Sequence, residues 1–186
     1  MDAASPPTFY SWLESPLGPL LLTSDAGGVL TRVRMRSRGH MTTDPAWRRD
    51  DTMLGDARRQ LAAYFAGELQ RFDLVLALPG TPFQQRVWQA LRDLHYGETV
   101  SYGELARRIG EAGAARAVGL ANHNNPLPIV VPCHRVIGAD GSLTGFGGGI
   151  GRKRWLLTHE ARHASGPHRG DAPLIGDLFA GDRIGA

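Results

Sequence analysis

The sequence predicts a strand-rich α/β domain followed by a mostly helical domain that carries a helix-turn-helix. Three observations predict it. Short apolar runs broken by turn residues fill residues 9–35. A Pro-Gly-Thr-Pro break stands at 79–82, where two prolines and a glycine can continue neither a helix nor a strand. Beyond it, two helix starts carry N-caps, and the second opens a pair of short helices joined by glycines.

The elements follow in order. In FYSWLESPLGPLLLTSDAGGVLTRVRM, the Ser-Pro, Gly-Pro and Ala-Gly-Gly breaks separate strands. Residues 36–51 are polar and Arg-rich, and read as a surface loop. From Met53 to Glu68 the spacing becomes helical, with Leu54, Ala57, Leu61, Tyr64 and Phe65 on one side. FDLVLAL at 72–78 reads as a strand. Domain limits are therefore set at 1–78, 79–162 and a polar tail at 163–186. The tail is rich in Gly, His, Arg, Asp and Pro and is expected to be disordered.

In the second domain, Thr81-Pro82-Phe83-Gln84 and Ser101-Tyr102-Gly103-Glu104 both fit a capping box. Phe83, Val87, Ala90, Leu91 and Leu94 mark the buried face of the first helix. Gly110 and Gly113 separate the short helix SYGELARRI from a helix at about 114–123, so a helix-turn-helix and an ordinary helical hairpin both fit. The latter helix is bare: Ala114, Ala115, Ala117, Gly119 and Ala121 leave Arg116 as its main large side chain. Such a surface brings backbone close to a partner or to a neighbouring helix. Ile129-Val130-Val131 reads as a buried strand, and RKRWLLTHEA at 152–161 as the last helix.

Composition narrows the function. An apolar share of 42% supports a real core, and a net charge of +3 permits contact with nucleic acid without requiring it. No run approaches a membrane span, and MDAASPPTFYSW has neither the basic nor the apolar part of a signal peptide. A cytoplasmic location is expected. One cysteine in 186 residues excludes an internal disulfide and any zinc site built on two thiolates of this chain.

That cysteine, Cys133, lies in VVPCHRVIG. Pro132 fixes its own φ and disfavours helical geometry at Val131, so the thiol is held at a rigid bend that suits a nucleophile. A buried structural cysteine is the ordinary alternative. His134 and Arg135 alongside are expected to stabilise thiolate and lower the thiol pKa, though in extended backbone His134 would point to the opposite face. GFGGGIG at 145–151 fits neither phosphate-loop template and reads as a loop with close backbone approach. HEARH at 159–163 matches H-E-x-x-H formally. The third histidine falls one residue early for the longer zinc pattern, and no methionine lies beyond Met53, so a solvated helix end is the better reading of His163.

PCHRVIG, the upstream Asn-Pro, GFGGG, RKRWLL with His-Glu, SYGELA, AARAVG and FQQRVW occur together, in order, from about residue 15 to Glu160. In that company the chain resembles the methylated-DNA–protein-cysteine methyltransferases, or O6-alkylguanine-DNA alkyltransferases. The resemblance implies an RNase H-like N-terminal domain with an antiparallel sheet. It implies direct-reversal repair, in which an alkyl group passes irreversibly from flipped O6-alkylguanine, and from O4-alkylthymine, to the protein. Cys133 would be the acceptor and His134 a base acting through water. Glu160 would orient His134, Asn125 would brace the turn, and Tyr102 would rotate the nucleotide and protonate the leaving guanine. Arg116 would enter the base stack, with Ala115, Ala117 and Gly119 in the minor groove. Phe146, Gly147, Gly148 and Val136 would frame the base, along the loop Phe146–Gly149. Double-stranded DNA is the implied partner, with no cofactor, metal or membrane. The protein would be monomeric, with cooperative binding along DNA left open. Phe146 stands where many relatives carry Tyr. Three rivals remain: a cysteine hydrolase on the same residues, a non-catalytic damage binder, and the weak zinc hydrolase.

Overall fold

The computed structural model describes residues 7–35 and 41–164. The chain divides into two units, one of residues 1–79 with 126–128 and one of 80–125 with 129–186. From residue 165 onward the expected tail lies outside the described residues, as does the 36–40 part of the expected loop.

The first unit is built on β1 (Phe9–Leu13), β2 (Leu20–Ser24) and β3 (Leu30–Met35), all antiparallel. Sequence punctuation sets the turns. Ser15 takes a bond from the Gly18 N–H at 2.9 Å, and Gly18 holds φ 89°, a conformation that favours glycine. Asp25 Oδ1 accepts from the Gly27 and Val29 N–H groups, an Asx turn that reverses the chain into β3. Central β2 is buried along its whole length, so it reads as a continuous apolar run rather than an alternation. A fourth strand, β4 (Arg48–Arg49), runs parallel to β1 and gives the order β3-β2-β1-β4. This corrects the loop expected there: two arginines form a short exposed edge, and charged edge strands carry no apolar signal.

Helix α1 (Gly55–Ala66) buries Ala57, Leu61 and Tyr64 and ends at Gly67, whose left-handed φ of 79° turns its N–H back onto the Ala63 and Tyr64 carbonyls. The expected strand at 72–78 shrinks to one parallel bridge, Leu76 to Leu30. Leu30 exchanges bonds with Val75 and Ala77, while Gln60 holds both the N–H and the carbonyl of Asp73. The segment's apolar character is real, but a side chain takes the ladder bonds that a strand would have used.

The second unit opens with α2 (Pro82–Arg92). Thr81 accepts from Gln84 N, and Gln84 Oε1 accepts from Thr81 N, so the capping box is complete. Val87, Trp88 and Leu91 face inward, and Trp88 Nε1 donates to the Ala121 carbonyl at 2.9 Å. The short strand β5 (Val100–Ser101) leads into α3 (Tyr102–Arg108). Ser101 caps α3 through Glu104 N, while the Glu104 carboxylate turns to Arg107 and Arg108. Gly110 and Gly113, both at positive φ, make the turn into α4 (Ala115–His123). Strand β6 (Val136–Ile137) pairs parallel with β5, and α5 (Ile150–His163) closes the unit. No helix of the described residues is long and apolar enough to cross a membrane.

Candidate active site

Cys133 lies on a single 3-10 turn, Cys133–Arg135, at the rigid bend expected after Pro132. Pro132 (φ −82°, ψ 62°) is the centre of an inverse γ-turn, closed by the Cys133 N–H donating to the Val131 carbonyl at 2.8 Å. Asn125 Nδ2 donates to the same carbonyl, also at 2.8 Å. Ile129 holds φ 77°, a left-handed conformation that costs a β-branched residue about 1–3 kcal/mol. Residues 129–131 therefore turn, and the strand expected there is absent. Their branched apolar side chains are buried, which is what the sequence pattern registered.

The turn is fastened to α5 through Glu160, which is fully buried. Glu160 Oε1 accepts from His134 Nε2 (2.8 Å) and from one Arg135 terminal nitrogen (2.9 Å). Oε2 accepts from Arg135 Nε (2.8 Å) and from the Gly97 N–H (3.0 Å). Burial alone would raise this carboxyl. The Arg135 charge and the hydrogen bonds from His134 and Arg135 outweigh it and hold the group well below the ordinary carboxylate range. A carboxylate only accepts, so His134 Nε2 carries a proton toward it. Burial pushes the imidazole down against the pull of the Glu160 carboxylate, with Arg135 and Lys153 also disfavouring its charge, so the ring is neutral. The permanently charged Arg135 is the counter-ion. Nδ1 is then the unprotonated nitrogen, and it has no hydrogen-bond partner among the described residues.

Cys133 is buried, and burial pushes its thiol up; a hydrogen bond from Asn125 and the Lys153 charge pull the other way. This corrects the expected activation by His134 and Arg135. Both are committed to Glu160, so the resting sulfur is a thiol that needs a base. Lys153 is fully buried, and its Nζ donates to the Val136 and Thr144 carbonyls, each at 2.6 Å. Burial brings Lys153 down to about 8, with Cys133 opposing. Its ammonium lies 5.9 Å from the centre of the Tyr102 ring. Tyr102 OH donates to the Thr144 carbonyl at 3.2 Å, and burial raises its pKa, so the phenol keeps its proton.

The structure thus gathers Cys133, His134, Glu160, Asn125, Tyr102 and Val136 through shared bonds or charges. Arg116 and Ala117 lie exposed on α4, with Ala115 and Gly119 half-buried on the same helix. Phe146, Gly147 and Gly148 form a loop closed by the Gly149 N–H to the Phe146 carbonyl (2.9 Å) and by Arg152 to the Gly148 carbonyl (2.9 Å). Sequence reasoning missed Lys153, Arg135 as counter-ion, and Gly97. A signal for Lys153 existed: Lys153, Leu156, Leu157 and Glu160 share one helical face, so two charged residues interrupt an apolar stripe. HEARH resolves differently from a zinc motif. Its Glu160 is saturated by four donors, His159 stacks on Trp155, and His163 Nδ1 donates to the His159 carbonyl.

Two family models match the chain. One describes a 6-O-methylguanine DNA methyltransferase ribonuclease-like domain, over residues 8–78, and the other a DNA-binding domain of the same description, over 82–162. A methylated-DNA–protein-cysteine methyltransferase of Mycobacterium bovis is 56% identical over 155 residues, covering 83% of this chain and 93% of its own. The protein of the same name from Methanosarcina acetivorans is 49% identical over 152 residues, covering 82% and 97%. Among solved structures, Mycobacterium tuberculosis OGT in complex with DNA superposes with a TM-score of 0.77 at 56% identity, covering 84% of this chain and 94% of that one.

Two outcomes follow from the buried charges. Glu160→Gln leaves the Arg135 guanidinium uncompensated, so the urea-unfolding free energy is expected to fall by roughly 3–5 kcal/mol. For Lys153 the folded pKa lies below the unfolded value, so the unfolded chain binds the extra proton between about pH 8 and about pH 10.4. The wild type should therefore gain stability, relative to Lys153→Met, as pH rises through that window. Urea midpoints of the two proteins across it check the difference; a constant gap would contradict the buried ammonium.

Proposed function

The chain belongs to the 6-O-methylguanine DNA methyltransferase family, and on that premise we propose that it repairs alkylated DNA by direct reversal. Double-stranded DNA carrying O6-alkylguanine, or O4-alkylthymine, is the substrate, and Cys133 is the final acceptor of the alkyl group. The protein acts once, as a monomer, without a cofactor, in the cytoplasm where a free thiol survives. The observation that carries the reading is the buried Glu160–His134 pair beside Cys133, with the base-competent Nδ1 left without a partner among the described residues.

The chemistry runs as a displacement at an sp³ carbon. His134 Nδ1 takes the Cys133 proton through a water, because the buried thiol does not ionise unaided. Sulfur forms its bond to the alkyl carbon as the carbon–O6 bond breaks. The electron pair leaves on guanine, and the Tyr102 phenol supplies a hydrogen bond or proton to it. Lys153 stabilises the sulfur's developing charge and, through Val136 and Thr144, holds the wall beside it. The γ-turn at Pro132 limits the sulfur to one approach. The product thioether has no leaving group of comparable ease, so the protein is consumed. A hydrolytic cysteine site would work from a pre-formed thiolate–imidazolium pair, and the electrostatics here favour neutral thiol and neutral imidazole.

A lesion inside a duplex must leave the stack, which costs a few kcal/mol. Arg116, exposed on α4, fills the gap, and Ala115, Ala117 and Gly119 let the helix enter the minor groove. Loop Phe146–Gly149 and Val136 frame the extruded base. Arg116→Ala is expected to slow alkylation of Cys133 by duplex O6-methylguanine by tenfold or more, since it removes roughly 1–3 kcal/mol of stacking, while its reaction with free O6-benzylguanine stays near wild type. Single-turnover rates on both substrates check this, and equal losses would contradict the finger role.

A further inference from the structure

Asn122 is an anomaly of α4. It is 5% exposed, yet neither its Nδ2 nor its Oδ1 has a hydrogen-bond partner among the described residues. Buried polar groups are nearly always paired, because a dry amide costs stability that an apolar side chain of the same shape would not. Both atoms are closed to solvent in the free protein, so bulk water does not satisfy them.

Its position says what does. Residues three apart on a helix are neighbours on one face. Gly119 precedes Asn122 by three, and a Cβ there would touch the Tyr102 ring at 3.8 Å. Asn125, just past the helix end, follows by three; it bonds the Val131 carbonyl at 2.8 Å and the Cys133 thiol. Asn122 thus occupies the stretch of α4 between the residue that lies against Tyr102 and the residue that holds Cys133. Tyr102 and Cys133 flank the reacting base in the proposed chemistry.

We infer that Asn122 is a substrate-recognition residue, whose carboxamide, closed off in the free protein, is uncovered as the flipped base seats and hydrogen-bonds the polar edge of that base while Cys133 attacks the alkyl carbon. The inference rests on the alkyltransferase reading. The chemistry is complementary. The amide offers two N–H donors and one carbonyl acceptor. An O6-alkylguanine offers ring nitrogens that accept and an exocyclic amine that donates. A site whose polar groups are completed only by its substrate discriminates strongly against bases that cannot complete them. The unfavourable burial in the free protein is then a cost kept for function, as at other functional sites that break a local rule.

The test uses the full chain with Asn122→Leu, nearly the same shape, and Asn122→Ala, which needs no repacking. Urea midpoints report stability. Single-turnover alkylation of Cys133 is measured with free O6-benzylguanine and with duplex O6-methylguanine. The expected result is that Asn122→Leu is at least as stable as wild type, while both variants react about tenfold more slowly with both substrates, the loss of one substrate hydrogen bond. Should the leucine variant fail to fold, the alanine variant carries the kinetic comparison. Unchanged rates would overturn the inference and leave the amide a core defect. A loss on duplex alone would also overturn it, since a DNA contact and not a base contact would have gone, as would slowing that only tracks lost stability. If wild-type protein accepts no alkyl group from either substrate, the alkyltransferase reading itself falls, and the parent measurement shows that without reference to the variants.

Discussion

One buried carboxylate organises the C-terminal unit. Glu160 uses both oxygens twice, taking donors from His134, Arg135 and the Gly97 backbone. Such a group is stable in a protein interior only with its full set of partners. The positions of α5, the Cys133–Arg135 turn and the backbone at Gly97 are therefore linked. Arg135 extends the link by donating to the Leu94 carbonyl at 2.8 Å, just beyond α2. The same interaction sets protonation. With Arg135 supplying the permanent positive charge, Glu160 stays ionised without an imidazolium, and a neutral His134 is left with its lone pair on Nδ1.

Two turns earlier on α5, Lys153 makes a second attachment, to the Val136 and Thr144 carbonyls. A single helix thus grips the strand after the nucleophile and the loop that carries the candidate base pocket. The electrostatic result is a nucleophile kept neutral until it is needed. Burial holds the thiol protonated; in the proposed reaction Lys153 would stabilise the charge that develops, and the protonated Tyr102 phenol would serve the departing purine. For a protein that spends its only cysteine once, a reluctant resting thiol limits loss to stray electrophiles.

Much of this was legible in the sequence because local rules governed it. Thr81 and Ser101 announced their helices, Gly18 and Gly110 their turns, and Pro132 the bend at Cys133. The family resemblance brought Glu160 and His134 together over 26 residues, which no spacing rule supplies. What was misread depended on pairing at a distance. The 72–78 segment has strand composition, but Gln60 takes the backbone bonds of Asp73. Arg48 and Arg49 form a strand only because β1 offers them an edge. Adjacency suggested that His134 and Arg135 would charge the thiol, whereas both are drawn to a carboxylate far along the chain. Lys153 was visible as an interruption of an apolar stripe. Asn122 had no sequence signal, since an asparagine near a helix end ordinarily reads as a cap.

The central claim is that Cys133 is a stoichiometric alkyl acceptor. The most direct measurement is intact mass spectrometry of the protein after mixing with duplex DNA bearing a single O6-methylguanine, followed by peptide mapping. The protein is expected to gain the mass of one methylene, the gain to map to the peptide holding Cys133, and repair to stop at one lesion per molecule. Removal of the lesion with no change in protein mass, continued turnover beyond one equivalent, or a methyl group on any other residue would contradict it.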